Sequence, residues 1–98
     1  MATTAGTVVA DAPERSRYEI SVDGERAGFV VYQLAPDHIA FVHTEIDAAH
    51  AGKGLAGVLV RHALDDARAR GLRVVAVCPY VKSWIEKHPD YQDLTEQH

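Results

Sequence analysis

Alternation of apolar and polar side chains marks the first regular part of the chain. Residues 18–22 alternate between large apolar and polar types, and residues 27–34 are rich in β-branched and aromatic types. Both patterns are typical of β-strands. Asp23-Gly24 separates the two runs and Pro36-Asp37 follows the second, and both pairs favour turns. The sequence therefore predicts two antiparallel strands joined by a short turn.

A third strand is predicted over residues 38–46, with the sequence HIAFVHTEI. Unbroken alternation along it assigns one residue set to each face. One face then carries Ile39, Phe41, His43 and Glu45, and the other carries Ala40, Val42 and Thr44. We therefore expect His43 and Glu45 to lie side by side near the polar end of this strand.

The apolar period becomes helical after the connecting segment 47–53. From Gly54 or Leu55 onward, small and aliphatic residues recur three and four positions apart, which predicts one buried stripe on a helix. The stripe consists of Ala56, Leu59, Val60, Ala63, Leu64 and Ala67. Gly71 follows a cationic last turn and is the expected left-handed end of the helix.

The last part of the chain predicts one more strand and one more helix. Residues 72–78, LRVVAVC, form a nearly continuous apolar run, which favours a strand buried on both faces and parallel to the third strand. Pro79 ends that strand. Residues 81–88 have room for two helical turns before Pro89. The predicted fold class is α+β, with a mixed, mostly antiparallel sheet and the order β-β-β-α-β-α.

Length and composition restrict the function classes. With 98 residues, 47% hydrophobic and 24% charged, the chain has the profile of one globular domain. We expect a flexible tail over residues 1–17 and the domain over residues 18–98. The start lacks a basic segment followed by an apolar one, which argues against a secretory or transit peptide, and no apolar run reaches the roughly 20 residues of a membrane span. We therefore expect a cytoplasmic protein without a membrane partner.

Charge and cysteine content restrict them further. The formal net charge is -4, and the ten Lys and Arg are scattered along the chain. Binding to a phosphate backbone needs a basic stripe, so nucleic acid is not an expected partner. Cys78 is the single cysteine, and Cys and His do not recur at zinc-ligand spacing. We expect neither an internal disulfide nor a metal.

Glycines 52, 54 and 57 spell GxGxxG, the pattern of a dinucleotide-binding turn. In that turn the first glycine directly follows a strand, and a carboxylate ends the next strand. Here a longer loop intervenes, and the next strand ends in Cys78-Pro79. The phosphate loop of nucleotide hydrolases also fits poorly, because Gly54 and not Ser or Thr follows Lys53. A glycine-rich loop before a helix still favours a bound diphosphate, unless the glycines only relieve crowding against the sheet.

The stretch GKGLAGVLVRHAL resembles motif A of the GNAT acyl-CoA acyltransferase superfamily. Gly54 and Ala56 match the last two anchors of its Arg/Gln-x-x-Gly-x-Gly/Ala pattern, whereas Ala51 stands at the Arg/Gln position. HTEI and CPYVKSWIEKHPDYQDL are similar to the small stand-alone GNAT-like N-acetyltransferases. The resemblance covers residues 18–94 and implies a truncated GNAT fold.

The resemblance also implies a cosubstrate, acetyl-CoA, whose pyrophosphate is held mainly by backbone groups of the loop. The implied binding residues are Ile46, His50, Ala51, Gly52, Lys53, Gly54, Leu55, Ala56 and Gly57. The pantetheine arm would lie where the third strand and the strand ending at Val77 splay apart. Only a short turn joins the first two strands, where the family has helices, so we expect an open acceptor groove. Such a groove suits a protein or peptide amine, a polyamine, or no acceptor.

Four residues are candidates for catalysis. Cys78 is either an acyl-accepting nucleophile or an inert buried thiol. Glu45 or His43 is the candidate base for the amine, and each also has a plain structural explanation as a solvated charge or a hydrogen-bonded ring. The tyrosine that protonates CoA in many relatives aligns with Trp84 or Ile85, so Tyr80 is the substitute acid, or a packing residue.

The predicted function is acyl-CoA-dependent N-acyl transfer to an amine. The alternative is a non-catalytic acyl-CoA-binding or sensing module. A third interpretation, in which the glycines only pack, is a protein-interaction domain.

Overall fold

The computed structural model describes residues 2–4 and 6–95 and contains one six-stranded sheet with the order β1-β2-β3-β4-β5-β6. The strands are β1 (Ala2–Thr4), β2 (Thr7–Ala12), β3 (Arg17–Val22), β4 (Glu25–Leu34), β5 (His38–Ile46) and β6 (Arg73–Ala76). The helices are α1 (Leu55–Ala69) and α2 (Pro79–Glu86), with 3-10 segments at Pro13–Arg15, Ala48–His50 and Pro89–Thr95. Neighbouring strands are antiparallel except β5 and β6, which are parallel.

The predicted α+β fold is confirmed, because three antiparallel strands, the crossover helix, a parallel strand and a short helix follow in the expected order. Helix α1 buries the predicted stripe from Leu59 to Ala67 against β3, β4 and β5. Leu55 joins this stripe, while Ala56 is only partly buried. Gly71 has a φ of +70° after the helix end, as predicted. In the described residues, no helix is long and apolar enough to cross a membrane.

The expectation of a flexible tail over residues 1–17 is wrong for residues 7–12. These residues form β2, which pairs with the whole of β3, and Val9 is fully buried opposite Ile20. Asp11 accepts a hydrogen bond of 2.7 Å from the Tyr32 hydroxyl. The segment is short and contains small and charged residues, so its alternation is too weak to distinguish from a tail. Strand pairing and the tyrosine bond supply the order that the local pattern does not show.

The expectation that the last strand is buried on both faces is also wrong. Val74 is fully buried, but Val75 is 37% exposed and Val77 is 58% exposed. The described helices contribute to a single core cluster on one face of the sheet, and the other face of β6 has no covering layer. We call that uncovered side of the sheet the open face. A continuous apolar run thus marks an edge strand here.

Strand β5 contains a β-bulge at Val42. Val31 pairs with His43, whereas the next residue of β4, Tyr32, pairs with Phe41, so Val42 has no partner on β4. Paired residues of antiparallel strands lie on the same face. An extra residue in one strand therefore exchanges the faces of everything that follows it.

The bulge corrects the predicted faces of the third strand. Phe41 pairs with buried Tyr32 and faces the helices. Thr44 pairs with buried Val30 and also faces the helices, while His43 and Glu45 lie on the open face. Unbroken alternation had placed His43 and Glu45 with Phe41, and Thr44 opposite.

Candidate active site

The loop between β5 and α1 exposes its glycines. Gly52 and Gly54 have φ values of +81° and +72°, in the left-handed region that favours glycine. A Cβ atom added at either position would meet no other atom within 4 Å. Gly54 is the N-cap of α1 and offers no side chain to its first turn. The loop backbone is therefore open to a ligand.

The first turn of α1 has the electrostatics of an anion site. The first N–H groups of a helix have no carbonyl partner within it, and here they belong to Leu55, Ala56 and Gly57. This turn contains no acidic residue, and the exposed Lys53 directly precedes it. The positive end of the helix dipole adds to this charge. The residues present therefore fit the diphosphate of a nucleotide.

Strands β5 and β6 separate at Phe41. Their parallel pairing ends where Phe41 meets Ala76, and the N–H groups of Val77 and Cys78 both donate to the Phe41 carbonyl, at 3.1 and 2.8 Å. β5 continues to Ile46, and over these last residues its pairing within the described chain is with β4 alone. The predicted splay between the two strands is thus present. It leaves one backbone edge of β5 free beside the start of α2.

Cys78 lies at this splay. It is the N-cap of α2, and its Sγ is 3.4 Å from the Thr44 hydroxyl oxygen. Only 4% of its surface is exposed. Burial by itself raises the pKa of the thiol, but hydrogen bonds from the Thr44 hydroxyl and from backbone amides, those of Val81 and Tyr80 first, hold it below its usual value. The arrangement therefore favours the thiolate, the reactive form of a cysteine.

His43 and Glu45 form a pair on the open face. His43 Nε2 is 3.2 Å from Glu45 Oε1, and the two side chains are 59% and 57% exposed. The Phe29 ring lies beneath this pair, with its centroid 6.3 Å from that of the His43 ring. The bulge has turned both side chains away from Cys78. The structure brings the two candidate bases together and does not bring either to the thiol.

A groove of about 440 Å³ lies between α1 and α2 beside the glycine loop. It is lined by Gly54, Gly57, Val58, Arg61, His62, Asp65 and Trp84. The Arg61 guanidinium lies 5.3 Å from the Trp84 ring centroid and donates a 3.1 Å hydrogen bond to the Tyr91 hydroxyl. Sequence reasoning did not identify Arg61. Its position four residues after Gly57, and hence on the same face of α1, is the signal that could have found it.

The remaining candidates have different environments. Tyr80 is 41% exposed, burial of its ring raises the pKa of its hydroxyl, and that hydroxyl points toward Gly57. Trp84 is buried and stacks on His88 at 3.7 Å. His50 is 8% exposed, so its ring is not presented with the exposed loop residues. Ile46, at the end of β5, packs against the core. No group of three His, Cys, Asp or Glu in the described residues has the arrangement of a metal site.

Fold and site together define the class of protein, an acyltransferase-type α+β domain with a diphosphate loop beside splayed strands. A sequence profile described as GCN5-related N-acetyl-transferase matches residues 17–94. The chain therefore belongs to the GCN5-related N-acetyltransferase family, which the motif resemblance had indicated.

One curated relative is the streptothricin acetyltransferase of Streptomyces lavendulae. It is 40% identical over 63 residues, which are 62% of this chain and 33% of the relative. The match thus spans about a third of the length of that relative.

Solved structures show the same fold. A GCN5-like protein from Staphylococcus aureus, described as a candidate N-acetyltransferase, superposes with a TM-score of 0.69 at 21% identity and covers 97% of this chain and 96% of its own. The ribosomal-protein-S18-alanine N-acetyltransferase from Escherichia coli gives a TM-score of 0.63 at 16% identity, over 87% of this chain and 53% of that one. The first comparison includes nearly the full described chain, β2 among it.

Proposed function

We propose that this protein transfers an acyl group, most simply acetyl, from acyl-CoA to an amine. One observation carries the proposal. The unobstructed glycine loop at the N-terminus of α1 and the thiol at the N-terminus of α2 both border the free edge of β5 beyond the splay. A ligand with a diphosphate at one end and a thioester at the other matches that order.

The parts of CoA have separate places in this proposal. The diphosphate accepts hydrogen bonds from the N–H groups of Leu55, Ala56 and Gly57. The nucleotide part lies in the groove beside Arg61, whose guanidinium adds a fixed positive charge. The pantetheine arm follows the free backbone edge of β5, where unpaired amide and carbonyl groups match its own amides. Its sulfur then arrives at Cys78.

The reaction follows two displacements. The Cys78 thiolate attacks the acyl carbonyl, a new carbon–sulfur bond forms, and CoA leaves as a thiolate that takes up a proton. The amine then attacks the acyl-cysteine, a carbon–nitrogen bond forms, and the Cys78 thiolate is released as the amine loses a proton. Tyr80 is the proton donor for CoA in this scheme, because its raised pKa keeps its hydroxyl protonated at neutral pH.

The acceptor amine approaches from the open face, where His43 and Glu45 form a base pair of side chains above Phe29. This face has no covering layer among the described residues, which suits a protein or peptide amine or a polyamine. The names of the relatives speak of acetylation of streptothricin and of an alanine of a ribosomal protein, which supports an amine acceptor in general. The single free thiol fits the reducing cytoplasm, the compartment that we propose.

Binding of CoA is expected to raise the melting temperature strongly. A ligand at 100 times its dissociation constant stabilises the native state by about 2.7 kcal/mol. For a domain of this size that corresponds to a shift of about 10 to 20 °C. Thermal unfolding with and without CoA measures it, with adenosine monophosphate as the control lacking the diphosphate. An unchanged melting curve would leave only the protein-interaction interpretation.

The Glu45→Gln variant is expected to lower the rate of amine acetylation by about 10²-fold or more, because the amide cannot accept the proton of the attacking amine. CoA binding stays unchanged, since Glu45 lies on the opposite face of the sheet from the thiol. Glu14→Gln, at another exposed carboxylate, is the matched control. Steady-state rates at saturating acetyl-CoA measure both variants. Equal rates for Glu45→Gln and wild type would remove Glu45 from the mechanism.

A non-catalytic acyl-CoA-binding module is the second candidate. Three observations favour it: Cys78 is almost fully buried, the candidate bases face away from it, and Trp84 or Ile85 stands where relatives have an acidic tyrosine. Release of free CoA thiol separates the two candidates. If a panel of amines gives no release while CoA still raises the melting temperature, the protein is a binding module.

A further inference from the structure

Thr44 is the polar side chain nearest to the Cys78 thiol. Its hydroxyl oxygen lies 3.4 Å from Sγ. The backbone amide of Thr44 also donates to the sulfur, together with those of Tyr80 and Val81 at the start of α2. The sulfur thus lies between the free edge of β5 and the first turn of a helix, and Thr44 supplies two of its hydrogen bonds.

The position of Thr44 depends on the bulge. With unbroken alternation, residue 44 would face the open side of the sheet, and the extra residue at Val42 turns it toward the helices. There it pairs across the sheet with Val30, which is fully buried. Valine has nearly the same shape as threonine and packs well in such a place, so packing alone does not require a hydroxyl. The thiol is the hydrogen-bonding partner that this hydroxyl has.

We propose that Thr44 is a positioning residue for Cys78, whose hydroxyl holds Sγ at the splay and stabilises its thiolate. This inference rests on the proposed transfer through Cys78. A thiolate accepts hydrogen bonds and cannot donate one, so in that state the Thr44 hydroxyl donates to sulfur.

The same hydrogen bond acts in both displacements. In the first, it raises the thiolate fraction near neutral pH, because a donor bound to the charged form favours that form. In the second, Cys78 is the leaving group, and a thiol of lower pKa leaves faster. Without the hydroxyl, burial would act on the thiol with one opposing donor fewer, and its pKa would rise.

Alkylation of Cys78 by iodoacetamide tests the inference without any acyl transfer. Rates are measured from about pH 5 to about pH 10 for wild type, Thr44→Val and Thr44→Ser, because alkylation follows the thiolate fraction. We expect the Thr44→Val midpoint to move to higher pH by about one unit, which lowers its rate at neutral pH about tenfold. Thr44→Ser retains the hydroxyl and should keep the wild-type midpoint.

Two further measurements protect this test. The ultraviolet absorbance of the thiolate reports the same midpoint and does not depend on access of a reagent to the buried sulfur. Thr95→Val is the matched control, since the Thr95 hydroxyl bonds only the Gln92 carbonyl in its own 3-10 segment. Superimposable profiles for Thr44→Val and wild type would overturn the inference, as would a Thr44→Ser profile that shifts as far as that of Thr44→Val.

Failure of this inference can be told from failure of the proposed function. If Thr44→Val shifts the alkylation midpoint while amine acetylation keeps its wild-type rate and pH profile, Thr44 positions the thiol but transfer does not pass through Cys78. If an acyl-cysteine accumulates on Cys78 and the alkylation profile of Thr44→Val is unchanged, transfer through Cys78 stands and the role of Thr44 is refuted.

Discussion

Replacement of Cys78 by alanine is expected to lower the rate of amine acetylation by on the order of 10³-fold or more while CoA still binds. The loss is large because the nucleophile itself is removed. The residue lies at the start of α2, where the amides of Tyr80 and Val81 favour its thiolate. The glycine loop that we propose for the diphosphate is separate from it in sequence and belongs to another helix. Affinity and turnover should therefore respond independently.

Free-thiol release from acetyl-CoA measures the rate, and the CoA-induced rise in melting temperature measures binding in the same variant. Cys78→Ser is the companion variant, because its hydroxyl keeps the approximate size of the side chain but is a much weaker nucleophile at neutral pH. Intact-protein mass after incubation with acetyl-CoA alone should show one added acetyl group on wild type and none on Cys78→Ala. A Cys78→Ala protein that retains its rate would establish direct transfer to the amine.

The Ala56→Glu variant is expected to weaken CoA binding by about 10³-fold. Ala56 lies in the first turn of α1, so a carboxylate there would occupy the region of the unpaired N–H groups and repel the diphosphate. Two like charges about 4 Å apart near a protein surface repel by about 4 kcal/mol. An acidic residue in the first turn also stabilises a helix through its dipole. We therefore expect the variant to fold as well as wild type and to fail only in binding.

Titration calorimetry with CoA measures the affinity, and thermal unfolding without ligand checks the fold. Ala69→Glu adds the same charge to an exposed position at the other end of α1 and should keep wild-type affinity. Retained affinity in Ala56→Glu would show that the diphosphate is not held at this helix, and the CoA placement would have to be abandoned.

Local periodicity was sufficient for most of the architecture. The strands around residues 18–46 and the helix after Gly54 were predictable, because each buries one face against a single layer and so shows its period clearly. The glycine loop was also predictable, because its left-handed backbone at positions 52 and 54 requires a residue without a Cβ. These features position the loop and the splay.

The reactive centre depends on features that the sequence does not show. A bulge adds a residue without changing residue types, so HIAFVHTEI reads as an unbroken strand although its faces exchange at Val42. The partnership of Thr44 with Cys78 follows from that exchange. The groove beside Arg61 likewise forms only when α1 and α2 come together. Strand β2 is stabilised mainly by its partners, above all through Val9 and Asp11.

The bulge at Val42 also divides β5 into two halves under different selection. Before it, Ile39 and Phe41 are locked into the core, where a change of one methyl group disturbs packing. After it, His43 and Glu45 project from a surface that no described element covers, and their replacement leaves the core intact. A library restricted to these two positions could thus explore new acceptors without drawing on the stability of the fold. One inserted residue has in effect separated the evolvable part of the strand from the part that must be conserved.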